Sequence, residues 1–186
     1  MLQQFIARFI GLVIFMASTS VSAQTFKMER NDHAAMAAAI TSVTRDKVSD
    51  AQAKQIVSTV ARYSERLDID PFIVLAMMNQ ESTFNRFAKS PDGSYGLMQV
   101  HYRVHRAKFK GTSPFEIDAS VRIGLDIFTD CLKKNKGQLY GALNCYSGGG
   151  GRAYYQRFQK ARQKFERDYA IALFTPSGTA VAGLYP

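Results

Sequence analysis

Residues 71–78 restrict the fold more than any other part of the chain, because nearly every side chain in this run is apolar. Asp70 and Pro71 stand at its start, in the N-cap and first helical positions that these residue types favour. A helix that is apolar on all sides is normally buried on all sides. The run therefore predicts a helix at the centre of a domain, and a length of 186 residues suits one domain rather than two.

Four further helices are predicted from start signals and from apolar residues at helical spacing. One opens at Ser49 in a capping box, and another opens at Ser113 with the same signal and a proline. A short helix carries Leu139 and Leu143, and the last helix follows the glycines of residues 148–151. The predicted core positions of the long helices are Ile56, Val57, Val60, Tyr63, Leu67, Val121, Leu125, Phe128, Leu132, Tyr154, Phe158, Ala161, Phe165 and Tyr169.

The expected fold class is mainly α, because no alternating strand pattern of any length occurs between residues 49 and 170. Residues 84–114 are predicted as loops, and this segment is long enough to carry a substrate groove. Residues 24–48 are polar and Ala-rich without a clear apolar face, so we expect a lead-in segment with room for one short helix. Residues 171–186 contain Pro, Gly and small side chains and predict a flexible tail.

The amino terminus has the composition of a secretory signal. Arg8 supplies the positive charge, residues 9–17 are apolar without interruption, and Val21, Ser22 and Ala23 form a small-residue cleavage site. A retained membrane anchor is the alternative, but this apolar run is shorter than the roughly 20 residues that span a bilayer. We therefore expect cleavage after Ala23, export to the periplasm, and contact with the membrane only through the signal segment 1–23.

The net charge of the chain is +9. A basic balance is typical of proteins that bind a polyanion, although a solvated surface without a partner has the same composition. Outside the cytoplasm the available polyanions are acidic wall polymers and anionic lipids, so nucleic acid is not an expected partner.

Two cysteines, Cys131 and Cys145, lie on consecutive predicted helices. In an oxidising compartment they predict one disulfide, and two buried free thiols are the alternative. They are too few for a zinc site of four cysteines, and His101 and His105 lack the glutamate of the zinc protease motif, which Tyr102 replaces. Neither a metal ion nor another cofactor is predicted.

The central apolar run ends in a carboxylate, Glu81, which shares a helix face with Ile73 and Met77. Desolvation and the negative end of the helix dipole both raise the pKa of a carboxyl in this position. A carboxylic acid that stays protonated near neutral pH can act as the general acid of glycosidic cleavage. The alternative is that Glu81 marks only the solvated end of the helix.

The motifs that follow resemble those of the soluble lytic transglycosylases, a family related in fold to goose-type lysozyme. The matching positions are Glu81, Ser82, Phe84, Asn85, Ser90, Pro91, Gly93, Gly96, Leu97, Met98 and Gln99. The resemblance extends over about residues 49–169. It implies a lysozyme-like helical domain in which Glu81 is the catalytic acid and base.

The same resemblance implies a set of substrate contacts. The positions carried over are Ser82, Gly96, Met98, Gln99, Tyr146 and Tyr154. The family motif Ala-Tyr-Asn-x-Gly falls on residues 145–149, where Ser147 replaces the asparagine. Tyr154 matches the tyrosine that points toward the catalytic glutamate in the family, with Tyr155 as the alternative. The alternative role of Met98 and Tyr146 is packing in the core, and the alternative role of Gln99 is a hydrogen bond to the backbone.

The activity implied by the resemblance is cleavage of the β-1,4 bond between N-acetylmuramic acid and N-acetylglucosamine without water, which gives a 1,6-anhydro product. One carboxylate suffices for that reaction, whereas the usual hydrolytic route needs a second, for which Asp92 and Asp118 are the candidates. A lysozyme-type hydrolase and a non-catalytic wall-binding component are the alternatives. A small exported member resembles enzymes that open the wall locally for secretion, conjugation or pilus machines or for phage.

Overall fold

A computed structural model of the protein describes residues 30–175, and the structural statements below concern that part of the chain. Its helices are α1 (Arg30–Val43), α2 (Asp50–Leu67), α3 (Pro71–Ser82), α4 (Tyr102–Phe109), α5 (Ile117–Lys134), α6 (Leu139–Tyr146) and α7 (Gly151–Phe174). The antiparallel strands β1 (Ser94–Tyr95) and β2 (Val100–His101) form the one small sheet of this region. The prediction of a mainly α fold is confirmed. The predicted signal segment, residues 1–23, lies outside the described residues.

Helix α3 is the buried centre that its composition predicts. Asp70 caps it by accepting a hydrogen bond from the backbone N–H of Phe72 at 2.8 Å, and Pro71 is its first residue. The helix packs against α2 and α7. A fully buried side chain of this kind contributes about 1.5–3 kcal/mol, and α3 has four such side chains in Val74, Leu75, Met77 and Met78.

Within the segment that we predicted as a lead-in, residues 30–43 form α1, which packs along α7 and α2. Ser42 donates a hydrogen bond to the buried carboxylate of Asp168 at 3.0 Å, and Tyr169 donates one to Asp32 at 2.7 Å. The sequence pattern did not indicate this packing, because alanines form much of the buried face and give a weak periodic signal. The buried apolar residues of α1 are Ala35, Met36, Ala37, Ala39, Ile40 and Val43.

The observed ends of two helices differ from the predicted ones. Helix α7 continues to Phe174, so residues 171–174 of the predicted tail are helical, and residues 176–186 lie outside the described part of the chain. Helix α5 begins at Ile117 rather than next to Ser113. Ser113 and Glu116 do form the reciprocal hydrogen bonds of a capping box. The hydroxyl of Ser113 accepts from the N–H of Phe115 at 3.2 Å, and the carboxylate of Glu116 accepts from the N–H of Ser113 at 3.3 Å. These bonds close a turn that precedes the helix.

The segment predicted as a long loop contains β1, β2 and α4. The strands have two residues each, too few for an alternating pattern, and α4 is a short polar helix that is kinked at His105. The backbone N–H of Met98 donates a hydrogen bond to the hydroxyl of Ser120 on α5 at 3.2 Å. This contact fixes the hairpin turn against the helical core beside the end of α3.

Candidate functional site

A cleft of about 680 Å³ opens at the carboxyl-terminal end of α3. The end of α3, the β1–β2 hairpin and the start of α4 form one part of its wall. The ends of α5 and α6, with the first turns of α7, form the rest. Elements that are distant in sequence thus converge on one concave surface.

Glu81 lies in this cleft with its side chain largely withdrawn from solvent. Burial raises the pKa of the Glu81 carboxyl, and a hydrogen bond from Tyr154 and the positive charge of Arg157 oppose this shift. The hydroxyl of Tyr154 donates to Oε1 of Glu81. Because Oε1 accepts that bond, a proton on the carboxyl belongs on Oε2, which stays available to a ligand.

The chain turns sharply after Glu81, and this turn fixes the end of α3. Thr83 and Phe84 have left-handed backbone conformations, with φ of 48° and 57°. The backbone N–H of Thr83 donates to the carbonyl of Asn79 at 3.1 Å, which closes the last turn of the helix. Phe84 is fully buried, with its ring centroid 6.0 Å from that of Phe165 on α7. Phe84 therefore anchors the turn that presents Glu81.

The structure brings three of the predicted binding residues, Gln99, Tyr146 and Tyr154, to the cleft. Tyr154, rather than Tyr155, contacts Glu81. The hydroxyl of Tyr146 donates to the carbonyl of Met98 at 2.7 Å, and the amide of Gln99 donates to the carbonyl of Gly96 at 3.0 Å. Tyr146 and Gln99 therefore also hold the hairpin turn in place.

The other three predicted binding residues support the cleft from behind. Ser82 donates hydrogen bonds to the carbonyls of Leu97 at 2.9 Å and Met78 at 3.1 Å. Gly96 has a φ of 78°, and a Cβ there would lie 2.2 Å from the carbonyl oxygen of Pro114. Met98 is fully buried. These contacts tie the hairpin to α3 and α5, and substrate contact by Ser82, Gly96 and Met98 stays a prediction.

Ser147, which replaces the family asparagine, organises the glycine loop before α7. Its hydroxyl donates to the carbonyl of Asn144 at 3.1 Å and accepts from the N–H of Gly150 at 3.0 Å. The side-chain oxygen of Asn144 accepts from the N–H of Gly151 at 2.8 Å. These bonds define where α7 starts, and hence where Tyr154 in its first turn is placed.

Sequence reasoning missed several residues that line the cleft: Gln80, His101, His105, Lys134 and Arg157. Oε1 of Gln80 and Nδ1 of His101 are buried without a hydrogen-bond partner among the described residues. Arg157 had a detectable signal, because it follows Tyr154 by three positions on a helix and so shares its face. Lys134 had no such signal, since only the fold brings the end of α5 to the cleft.

The two candidate second carboxylates occupy different places. Asp118 accepts hydrogen bonds from Arg62 at 2.6 Å and Tyr63 at 3.0 Å, and so joins α5 to α2. Asp92 lines the cleft, where the hydroxyl of Ser90 donates to its carboxylate. That hydrogen bond lowers the pKa of Asp92, so its carboxylate is ionised at neutral pH.

Cys131 and Cys145 form the predicted disulfide, with a Cα–Cα distance of 5.7 Å. The bond joins α5 to α6, and both cysteines line the cleft. It therefore fixes the wall from which Tyr146 and the glycine loop extend.

Replacing both cysteines by alanine is expected to lower the free energy of unfolding by about 3 kcal/mol, because the bond closes a short loop in the unfolded chain. Urea denaturation of the variant and the oxidised parent measures the difference. Equal midpoints, or two free thiols found by mass spectrometry in protein isolated from the periplasm, would contradict a structural disulfide.

Comparison with known proteins gives matches over the same region. A family model described as the transglycosylase SLT domain matches residues 58–169. Lysozyme g of Gallus gallus is 29% identical over 154 residues, which cover 76% of this chain and 70% of that protein. Membrane-bound lytic murein transglycosylase C of Edwardsiella ictaluri is 28% identical over 119 residues, which cover 55% of this chain and 33% of that protein. The chain thus spans about a third of the length of this transglycosylase.

Proposed function

Because the chain belongs to the transglycosylase SLT domain family, we propose that it is a peptidoglycan lytic transglycosylase with Glu81 as its catalytic acid and base. The observation that carries the proposal is the partly buried carboxyl of Glu81 in the cleft, because desolvation raises its pKa. The relatives named lytic murein transglycosylases support the reaction, and those named lysozyme g support the lysozyme-like fold.

In the first step, Glu81 protonates the oxygen of the β-1,4 bond between N-acetylmuramic acid and N-acetylglucosamine. The proton leaves from Oε2, since Oε1 accepts the hydrogen bond of Tyr154. Burial and the nearby Glu81 charge raise the pKa of Tyr154 far above its ordinary value, so this phenol stays a neutral donor. The C–O bond breaks, and an oxocarbenium-like centre forms on the muramoyl sugar.

In the second step, the carboxylate of Glu81 takes the proton of the muramoyl 6-hydroxyl as that oxygen attacks the anomeric carbon. The new C–O bond closes the 1,6-anhydro ring, and Glu81 regains its proton. The cycle consumes no water and needs no other carboxylate, cofactor or metal ion. Tyr154 and Arg157 stabilise the anion between the two steps, because both favour the charged form of Glu81.

Zymography on a gel that contains peptidoglycan tests the proposed activity. A clear zone at the position of the purified protein is expected. Binding to the wall polymer without a cleared zone would instead support a non-catalytic wall-binding component.

Replacing Tyr154 by phenylalanine is expected to lower kcat by about a hundredfold, the lower end of the range for losing one oriented donor in a catalytic site. The hydrogen bond of Tyr154 lowers the pKa of Glu81, so its removal moves the high-pH limb of the activity profile to higher pH. Tyr155→Phe is the matched control on the next position of α7. A profile that keeps its high-pH limb in place would contradict this role for Tyr154.

Asp92 is the observation that favours a hydrolase as a second candidate, because its ionised carboxylate lines the same cleft. A lytic transglycosylase that uses one carboxylate should keep its kcat within about threefold in Asp92→Asn, whereas a base or nucleophile is worth about a hundredfold or more. Asp118→Asn, away from the cleft, is the control. A loss of two orders of magnitude confined to Asp92→Asn would favour hydrolysis.

We also propose that the protein acts in the periplasm, after cleavage of residues 1–23, and opens the wall locally for an envelope-spanning machine or a phage. Glycan strands are then its substrate and the components of a secretion, conjugation or pilus machine its partners. The composition of residues 1–23 supports export. The amino-terminal sequence of protein recovered from the periplasm tests cleavage, and the neighbouring genes identify the machine.

A further inference from the structure

His101 lies in the cleft but has no part in the two steps that we propose for Glu81. It pairs with Ser94 across the β1–β2 hairpin, and both residues line the cleft. Successive side chains of a strand point to opposite faces. Tyr95 accordingly points away from the cleft, where its ring centroid lies 5.7 Å from that of Phe115. The hairpin therefore holds the His101 side chain in the same cleft as the Glu81 carboxyl.

The backbone on both sides of His101 is fixed by hydrogen-bonded pairing. Val100, the residue before it, is buried and pairs with Tyr95. The N–H of Tyr102, the residue after it, donates to the carbonyl of Gly93 at 3.0 Å. A polar group on the His101 ring is thus positioned before a ligand arrives, which limits the entropy that is lost on binding.

The two ring nitrogens of His101 have different surroundings. Nδ1 is buried without a hydrogen-bond partner among the described residues. Nε2 has no partner in residues 30–175 either, but it is not enclosed. In the neutral imidazole one nitrogen is a donor and the other an acceptor. Buried N–H groups without a partner are rarer than unpaired acceptors, so the proton belongs on Nε2.

The chemistry of this donor indicates the kind of group that it binds. Lys134 and Arg157 also line the cleft, and their charges suit anionic groups. An uncharged N–H suits a neutral oxygen, and the hydroxyl and acetamido groups of wall sugars supply such oxygens. A few fixed polar groups orient a ligand in a cleft of this size. His101 therefore suits the glycan rather than a charged substituent.

We propose that Nε2 of His101 donates a hydrogen bond to an uncharged oxygen of the glycan strand while the bond to be cleaved lies at Glu81. This inference rests on the proposed function and adds a binding residue to its site. The hydrogen bond is present before and during the reaction, so it contributes to affinity and not to the proton transfers. Loss of the donor should raise KM and leave kcat unchanged.

The variants His101→Leu and His101→Gln test the role of Nε2. Leucine removes both nitrogens, whereas the glutamine amide can place an N–H near the position of Nε2. Calorimetry with soluble glycan strands measures their affinity in the Glu81→Gln background, in which the ligand is not cleaved. His101→Leu should weaken binding about fivefold, the size of one hydrogen bond between uncharged groups. His101→Gln should restore most of the affinity.

The outcomes of this titration separate the two proposals. If the Glu81→Gln protein binds strands and His101→Leu does not weaken that binding, the role of His101 is overturned and the proposed function stands. Equal losses in His101→Leu and His101→Gln would also overturn it. If the Glu81→Gln protein does not bind strands at all, the proposed substrate is wrong, and the role of His101 with it.

Unfolding in urea separates a binding role from a structural one. His101→Leu removes a buried nitrogen that lacks a partner, so its free energy of unfolding should equal or exceed that of the parent. Stability that falls together with affinity would overturn the proposal. His33→Leu is the matched control, because His33 lies on α1 and does not line the cleft. It should bind strands as the parent does.

Nitrogen NMR of the full chain tests the tautomer without substrate or turnover. The chain has three histidines, and the signals that are missing in His101→Gln identify His101. At a pH above the ordinary pKa of histidine, Nε2 should carry the proton and Nδ1 should not. A proton on Nδ1 would overturn the proposal and leave the proposed function intact.

Discussion

The variant Glu81→Gln is expected to lose turnover of peptidoglycan by on the order of 10⁴-fold, the upper end of the range for general acid–base catalysis. The loss is large because one residue provides the proton in the first step and removes a proton in the second. The amide keeps the shape of the side chain and can still accept the hydrogen bond of Tyr154. Release of soluble fragments from purified peptidoglycan measures the effect.

Glu65→Gln is the matched control, since Glu65 is an exposed glutamate on α2. It should turn over peptidoglycan at the rate of the parent, and both variants should bind the polymer. Turnover of Glu81→Gln within a few-fold of the parent would remove Glu81 from the mechanism.

The same variant has a predictable effect on stability. Burial raises the pKa of Glu81 in the folded protein, so the folded state favours the protonated carboxyl. The stability that this proton contributes is complete below the unfolded pKa and is lost as the pH rises through the folded pKa. Glu81→Gln has no such proton to lose. The free energy of unfolding of the variant, minus that of the parent, should therefore increase as the pH rises.

The sequence predicted helix α3 well because its signals are local. Asp70 and Pro71 mark the start of α3 through their own conformations, and the apolar run before Glu81 predicts burial at every helical angle. The raised pKa of Glu81 follows from that burial. A residue at the end of such a helix needs no knowledge of the rest of the fold to be identified as unusual.

The shape of the cleft was harder to predict because the residues that support it contact backbone groups distant in sequence. Ser82 binds the carbonyl of Leu97, and Gly96 lies against the carbonyl of Pro114, so both residues shape the site without lining it. A motif gives the identity of such residues but not the direction in which their side chains point. Lys134 shows the converse case, since it reaches the cleft only because α5 ends there.

Helix α1 shows a different limit of sequence patterns. Its contacts with α7 include the buried carboxylate of Asp168, which Ser42 hydrogen-bonds across more than a hundred residues of sequence. Small buried side chains such as Ala37 and Ala39 let two helices approach closely, yet they contribute little to a hydrophobic pattern. An alanine-rich segment is therefore a poor place to draw a domain boundary.

The chemical form of the product is the second large effect that we expect. If the muramoyl 6-hydroxyl attacks, every primary product ends in an anhydro sugar, lacks a reducing end, and is lighter by one water than its hydrolysed counterpart. Each cleaved bond leaves either an anhydro end or a reducing end. It separates the two enzyme classes more sharply than any rate, because the rate of either reaction depends on Glu81.

Digestion in heavy-oxygen water measures this directly. A hydrolase places the label on the new anomeric hydroxyl, whereas intramolecular transfer leaves the products unlabelled, so we expect unlabelled anhydro ends from the parent. A hydrolytic lysozyme digested in parallel confirms that the label is incorporated under the same conditions. Stoichiometric label in the primary products would mean that water is the nucleophile. Asp92, the candidate carboxylate that lines the cleft with Glu81, would then be the group that activates it, and the reaction would be hydrolysis.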